Sequence, residues 1–161
     1  MSEGYGVPKD GSGAKQLPWS WAVERLLAAR NYWICSTRPD GPPHAAPVWG
    51  LWLDDAVWFS TDRASRKGRN LLASPTVVVH LESGDEVVIL EGEAREVGKP
   101  GRGLAERLAA GFTAKYAATT YEYRPSPDQW DRGGLWAMRP RVAFGWSEFP
   151  KTATRWRFPD D

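Results

Sequence analysis

The sequence predicts a mainly β single domain, its strands closed into a small barrel with two or three α-helices set between them. Six or seven short segments rich in aromatic and β-branched residues recur, each bounded by Gly, Pro, Asp or Ser clusters. Helical spacing is confined to residues 19–30, 65–73 and 101–118. The chain has 161 residues and no internal repeat, which fits one core. Many strands in so short a chain favour closure, because a barrel leaves few exposed edges.

Each element follows from local chemistry. Residues 1–16 hold Gly, Ser, Pro and Lys without an apolar run, so a mobile tail is expected there rather than a signal peptide, with one domain over 17–161. Residues 19–30 place Trp19, Val23, Leu26 and Leu27 on one face of an amphipathic helix. A strand is expected over 31–37, the turn Arg-Pro-Asp-Gly-Pro-Pro over 38–43, and a second strand over 44–53. Pro47 lacks a donor N–H, so this second strand should be an edge, bulged, or face a ligand there. Asp54-Asp55 turns the chain into a third strand over 56–61. Ser65 caps a short helix that Ser74-Pro75 stops. Strands over 76–82 and 87–97 flank the Ser83-Gly84-Asp85 turn, and a helix over 101–118 carries Leu104, Leu108 and Phe112. A loop over 121–133 precedes strands expected at 134–138, 141–149 and 152–158.

Composition excludes several functions. A formal charge of +1 and a pI near 7.9 give no global attraction to nucleic acid or an anionic membrane. One cysteine, Cys35, rules out an internal disulfide framework, and it is expected to be a buried core residue. Two histidines far apart offer no metal-type spacing, so no metal is expected. No apolar run reaches the ~20 residues of a membrane helix, which makes a cytoplasmic protein the default. Ten tryptophans exceed what one small core would use, and point to a dimer interface or a pocket for a flat ligand.

The stretch Phe-Ser-Thr-Asp-Arg-Ala-Ser-Arg-Lys-Gly-Arg-Asn over 59–70 carries the chemistry. A strand ends in Ser60 and Thr61, and a helix opens with Ser65, Arg66 and Lys67. Free N–H groups and the dipole at a helix start favour an anion. Arg66 can offer a bidentate fork and Lys67 a point charge. Five donors converging on one helix start suit a terminal phosphate. The same turn also fits a solvated basic surface.

The run from Ser65 to Leu71, set between the strand ending at Thr61 and Ser74-Pro75-Thr76-Val77-Val78, resembles the pyridoxamine 5′-phosphate oxidase-like split-barrel superfamily. The resemblance covers residues 22–97. It implies an FMN-binding-like homodimer in which Thr61, Arg66 and Lys67 hold the cofactor phosphate, Ser60, Ser65 and Asn70 assist, and the sites lie at the subunit interface. The true oxidases carry a basic Arg-x-Val-Leu-Leu-Lys strand before the turn. Here that stretch is Ala45-Ala46-Pro47-Val48-Trp49-Gly50, so oxidation of pyridoxamine phosphate is not expected. The Pro-Val-Trp strand and the chain end Thr154-Arg155-Trp156-Arg157-Phe158 resemble instead the actinobacterial flavin/deazaflavin oxidoreductase B-type branch. That resemblance implies coenzyme F-420, alternatively flavin mononucleotide (FMN), and hydride transfer to a conjugated small molecule. Pro47, Val48 and Trp49 would run along the tricyclic ring, with Trp146, Arg155 and Trp156 near the pocket. A non-catalytic cofactor or tetrapyrrole carrier is the alternative of another class.

Among the remaining residues, Trp52 and His80 read as structural, and Tyr116, Tyr121 and Tyr123 border a possible substrate mouth. No nucleophile–base pair has a defined spacing. A cofactor that supplies the hydride chemistry accounts for that.

Overall fold

A computed structural model describes residues 15–159. Seven antiparallel strands form one sheet: β1 Asn31–Thr37, β2 Pro43–Leu53, β3 Ala56–Ser60, β4 Thr76–His80, β5 Val87–Glu96, β6 Leu135–Trp146 and β7 Thr154–Arg157. Among the described residues three helices accompany them, α1 Trp19–Ala28, α2 Arg66–Ala73 and α3 Arg102–Tyr116, with a 3₁₀ turn over Pro127–Trp130. The strand order is β3-β2-β1-β4-β5-β6-β7, and β3 also pairs with β6. Six strands therefore close on themselves, and β7 extends β6. This is a mainly β split barrel.

Alternation along the strands builds the interior. In β1, Tyr32 and Ile34 are fully buried, and they meet Val57, Phe59, Val79, Leu90 and Met138 inside the barrel. Each such side chain contributes roughly 1.5–3 kcal/mol when taken from water. Helix α1 packs against this core through Ala22 and Leu26, and Trp19 meets Trp52, Trp156 and Phe158 edge-on. A second apolar layer lies between α3 and the outer face of the sheet, where Leu108, Phe112, Tyr116 and Trp130 meet Leu51, Trp58 and Leu135.

Several expectations are corrected. Leu27 is 56% exposed, because Ala22 and Leu26 define the centre of the α1 stripe and Leu27 falls at its margin. Cys35 is half-buried on the outer face, since period-two alternation gives the interior to Tyr32, Ile34 and Ser36. The two strands expected at 134–138 and 141–149 are one continuous β6. Pro140 sits opposite Gly92, where the β5–β6 register shifts and a proline's missing N–H is tolerated. A Cβ on Gly92 would lie 2.0 Å from the Arg139 carbonyl, so this bulge needs glycine.

The tryptophans serve the core more than expected. Trp52, Trp58, Trp130 and Trp136 are buried, and Trp19, Trp21 and Trp156 pack against the interior. Buried indoles find acceptors, as for Trp58 Nε1 on the Leu53 carbonyl at 2.9 Å.

Pro47 pairs with Trp33 of β1, but β3 joins β2 only from Gly50 onward. The Pro47 half of β2 therefore has one open side, where the absent donor is harmless. The expected tail over 1–16 lies mostly outside the described residues, although Lys15 N already bonds the Lys151 carbonyl at 3.0 Å. Among the described residues, no helix is long and apolar enough to cross a membrane, and no three His, Cys, Asp or Glu side chains gather as a metal site.

Candidate cofactor site

The turn from β3 into α2 is fixed by its own polar groups. Asp62 Oδ1 accepts the Ala64 N–H at 2.7 Å, and the Asp62 carbonyl accepts both the N–H and the hydroxyl of Ser65. Ser65 Oγ then accepts the Gly68 N–H at 3.0 Å, which makes it the helix N-cap. Thr61 Oγ1 lies 3.1 Å from Ser65 Oγ. Because the Ser65 hydrogen is already committed to Asp62, Thr61 is the donor of that pair. The N–H groups of Arg66 and Lys67 have no acceptor among the described residues, as expected for the first turn of a helix. Gly68 is required sterically: a Cβ there would lie 2.2 Å from the Asp62 carbonyl oxygen.

Two buried indoles hold the strand end from behind. Trp130 Nε1 donates to Ser60 Oγ at 2.8 Å and Trp136 Nε1 to the Thr61 carbonyl at 3.2 Å. The Thr61 N–H reaches the Gly134 carbonyl at 3.0 Å. Glu96 accepts the Gly134 N–H and pairs with both of its oxygens to Arg63 Nε. The positive φ of Gly133 and Gly134 makes this brace possible.

A cavity of about 360 Å³ opens beside the turn, lined by Pro47, Val48, Trp49, Ser60, Lys67, Phe112 and Tyr123. A second one, of about 310 Å³, shares Ser60 and continues past Thr61 to Gly133 and Gly134. These volumes suit a small molecule. Trp49 stacks on Tyr116 with ring centres 4.8 Å apart, and Tyr121 and Tyr123 lean against it. Lys67 is half-buried with no anionic partner among the described residues, and burial pushes its ammonium pKa down. An unpaired cation in an apolar-walled cavity costs free energy that a bound anion offsets. The donor set therefore fits a phosphate-bearing group with a flat apolar body.

The structure brings Ser60 and Lys67 into one cavity with Pro47, Val48 and Trp49 and puts Thr61 in the adjoining one, whereas Ser65 caps the helix between them and the Arg66 side chain is exposed and lines neither. Asn70, expected at the cofactor, is instead fully buried and donates to Ser36 Oγ at 3.0 Å. It lies one helical turn beyond Arg66, on the core side, where it supports the helix from below. Trp146, Arg155 and Trp156 do not line this cavity within one chain. Trp156 packs on Trp19, Trp146 meets Phe149 edge-on, and Arg155 is exposed on β7. Sequence reasoning missed Phe112, Trp130, Trp136, Glu96 and the structural need for Gly68. The signals for Trp130 and Trp136 are long-range hydrogen bonds, which no local pattern carries.

A family model described as pyridoxamine 5′-phosphate oxidase matches residues 22–141. The chain belongs to the pyridoxamine 5′-phosphate oxidase family. No curated protein sequence matches it significantly. Among solved structures, a conserved hypothetical protein, Rv2991 from Mycobacterium tuberculosis, is 26% identical with a TM-score of 0.67, the match covering 81% of this chain and 84% of the other. An F420 reductase is 23% identical with a TM-score of 0.55, covering 74% and 94%. A heme-binding protein from Mycobacterium smegmatis is 18% identical with a TM-score of 0.65, covering 88% and 59%. The last two share the fold. The same barrel thus occurs in a protein described as a reductase and in one described as heme-binding, so the fold alone does not assign a function.

Proposed function

We propose that this protein is an oxidoreductase that binds the deazaflavin coenzyme F-420 and reduces a conjugated small molecule, with FMN as the alternative cofactor. The observation that carries the reading is Lys67, an unpaired half-buried cation that shares its cavity with the Pro47–Trp49 wall. Its chemistry asks for an anion and its surroundings ask for a flat apolar body, and such a cofactor has both.

In this reading Lys67, Arg66 and the free N–H groups of the α2 start hold the phosphate. The Ser60 hydroxyl, whose oxygen accepts from Trp130 and whose hydrogen is uncommitted among the described residues, completes its shell, while Thr61 and Ser65 fix the turn through their bonds to each other and to Asp62. Trp130 and Trp136 keep Ser60 and Thr61 in place, so the donors need no rearrangement when the anion arrives. Pro47 presents a wall without a donor N–H. Phe112 and Tyr123 exclude water from the opposite side. The bound cofactor would supply the hydride. No side chain at the cavity stands out as a general acid, so solvent is the proton source for the product. The cavity is open on one side, and a homodimer would close it with the partner's C-terminal strands. That is the place for Trp146, Arg155 and Trp156, which the chain's own cavity does not use.

Titration of the protein with F-420 and, separately, with FMN, followed by fluorescence, tests this. Micromolar affinity for F-420, weakened in Lys67→Ala, is the expected result. Preference for FMN moves the protein to the flavin alternative. Binding of neither, or tight binding of a tetrapyrrole without redox turnover, overturns the proposal.

A further inference from the structure

A third cavity, of about 450 Å³, shares no lining residue with the two at the cofactor site. Its charged lining is Glu93, Arg95, Arg139 and Arg141, and its apolar lining includes Trp58, Val97, Ala137 and Pro140. Sheet register explains the grouping. Arg95, Ala137 and Trp58 form one row across β5, β6 and β3, and Glu93 and Arg139 stand opposite each other in the next row. The short side chain of Ala137 in the middle of the first row leaves the hollow between guanidinium and indole. The bulge at Gly92 and Pro140 then keeps Arg141 beside Glu93, where the two form an ion pair at 2.9 Å.

Three guanidinium groups in this lining face one carboxylate. Glu93 receives Arg95 Nε at 3.0 Å, and among the described residues Arg139 Nη1 donates to the Asp54 carbonyl at 3.3 Å and lies within the field of the Asp54 carboxylate. Exposed ion pairs of this kind contribute little, so an incoming oxyanion can displace them readily. The whole chain carries a formal charge of only +1, so this is a local concentration of arginine and not part of a broad basic surface. A polyanion such as nucleic acid needs many such contacts along its length, whereas this hollow has the size of a small ligand. Planar guanidinium forks match carboxylate and phosphate oxygens.

We propose that this cleft is a second binding site, for a small molecule that joins an apolar body to a carboxylate or phosphate group. The oxyanion sits between Arg95 and Arg139, and the body lies over Ala137 against Trp58. The site is independent of the cofactor reading.

Phenyl phosphate and benzoate serve as probes, with the Trp58 indole N–H resonance as reporter in a nitrogen-labelled sample. Saturable perturbation of that signal is expected, and the tighter probe identifies the preferred oxyanion. Arg95→Ala and Arg139→Ala should each weaken it about tenfold or more, as for loss of a charged hydrogen bond. Ala137→Met, which fills the hollow without touching a charge, should abolish it. Glu93→Gln should tighten it, a gain that misfolding cannot produce. Lys67→Ala should leave it unchanged, which separates this site from the cofactor turn. No saturable shift with either probe overturns the proposal. So does a shift that survives both arginine changes or disappears in Lys67→Ala.

Discussion

The two half-buried lysines, Lys67 at the start of α2 and Lys115 at the end of α3, are desolvated cations with opposite surroundings. Lys115 Nζ donates to the Gly50 carbonyl at 3.0 Å and lies 3.3 Å from the Tyr32 hydroxyl. It also sits over the rings of Tyr32 and Tyr116, 4.8 and 5.6 Å from their centres. The protein itself supplies part of what that charge lost on leaving water, through carbonyl and π-face, although burial still pushes its pKa down to about 8. Lys67 has no such partner among the described residues and opens into a cavity. Burial alone therefore does not mark a ligand site. A buried charge whose needs are unmet on a rigid, pre-formed turn does, and the difference separates a structural lysine from a binding one.

The largest expected effect comes from destroying the rigidity that keeps Lys67 unmet. Gly68→Ala forces a Cβ to within 2.2 Å of the Asp62 carbonyl oxygen, a backbone atom that cannot swing aside. Overpacking of this kind costs about 3 kcal/mol, the upper end of its usual range. Thermal melting should show the loss of stability, and cofactor affinity should fall with it because the Ser65 cap and the free N–H groups move together. A Gly68→Ala protein with normal stability and normal cofactor affinity would break the comparison at its base.

How much of this was legible in the sequence depends on whether the signal is local. The Ser65 cap, the Arg66-Lys67 turn and the element order could be read from turn chemistry and from strand alternation, both of which act over a few residues. The face of Cys35 was misjudged because an apolar strand announces its alternation but not which set is inside. Pro140 was read as a break because only Gly92, on another strand, turns it into a tolerated bulge. Asn70 looked like a cofactor ligand because it follows the phosphate turn, yet its register on α2 points it at Ser36. Lys115 carried no sequence signal at all. Its partners Tyr32 and Gly50 lie 83 and 65 residues away.

The next effect in size separates the two lysines directly. Lys67→Met should weaken cofactor binding by about 1.5–3 kcal/mol, roughly ten- to hundredfold, the worth of a hydrogen bond to a charged group. Lys115→Met should leave that affinity within about twofold, because the ammonium does not line the cavity. Fluorescence titration of both variants at one pH measures this. Equal losses would mean that the two cations act as one electrostatic unit and that unmet burial is not the discriminating feature.

The smallest effect reads the same contrast in stability against pH. Burial pushes the Lys115 pKa down to about 8, and that of Lys67 also falls. The unfolded chain keeps these protons until about pH 10.4, so between the folded and unfolded values it binds more protons than the native state. Stability therefore rises with pH from about 8 upward. Burial moves Tyr116 up to about 12 and Tyr32 upward as well, which contributes with the opposite sign once unfolded tyrosines ionise near pH 10. The informative window thus lies below that point. Denaturant melts of Lys115→Met should show a shallower rise there than the parent protein, the remaining slope being the balance of Lys67 against Cys35, whose burial-raised thiol acts with the opposite sign. Adding a phosphate-bearing cofactor should remove the Lys67 part, since the anion restores the proton affinity of Lys67 while Lys115 and Cys35 stay as they were. A slope that survives in Lys115→Met unchanged would show that its carbonyl and ring contacts already compensate the desolvated charge in full.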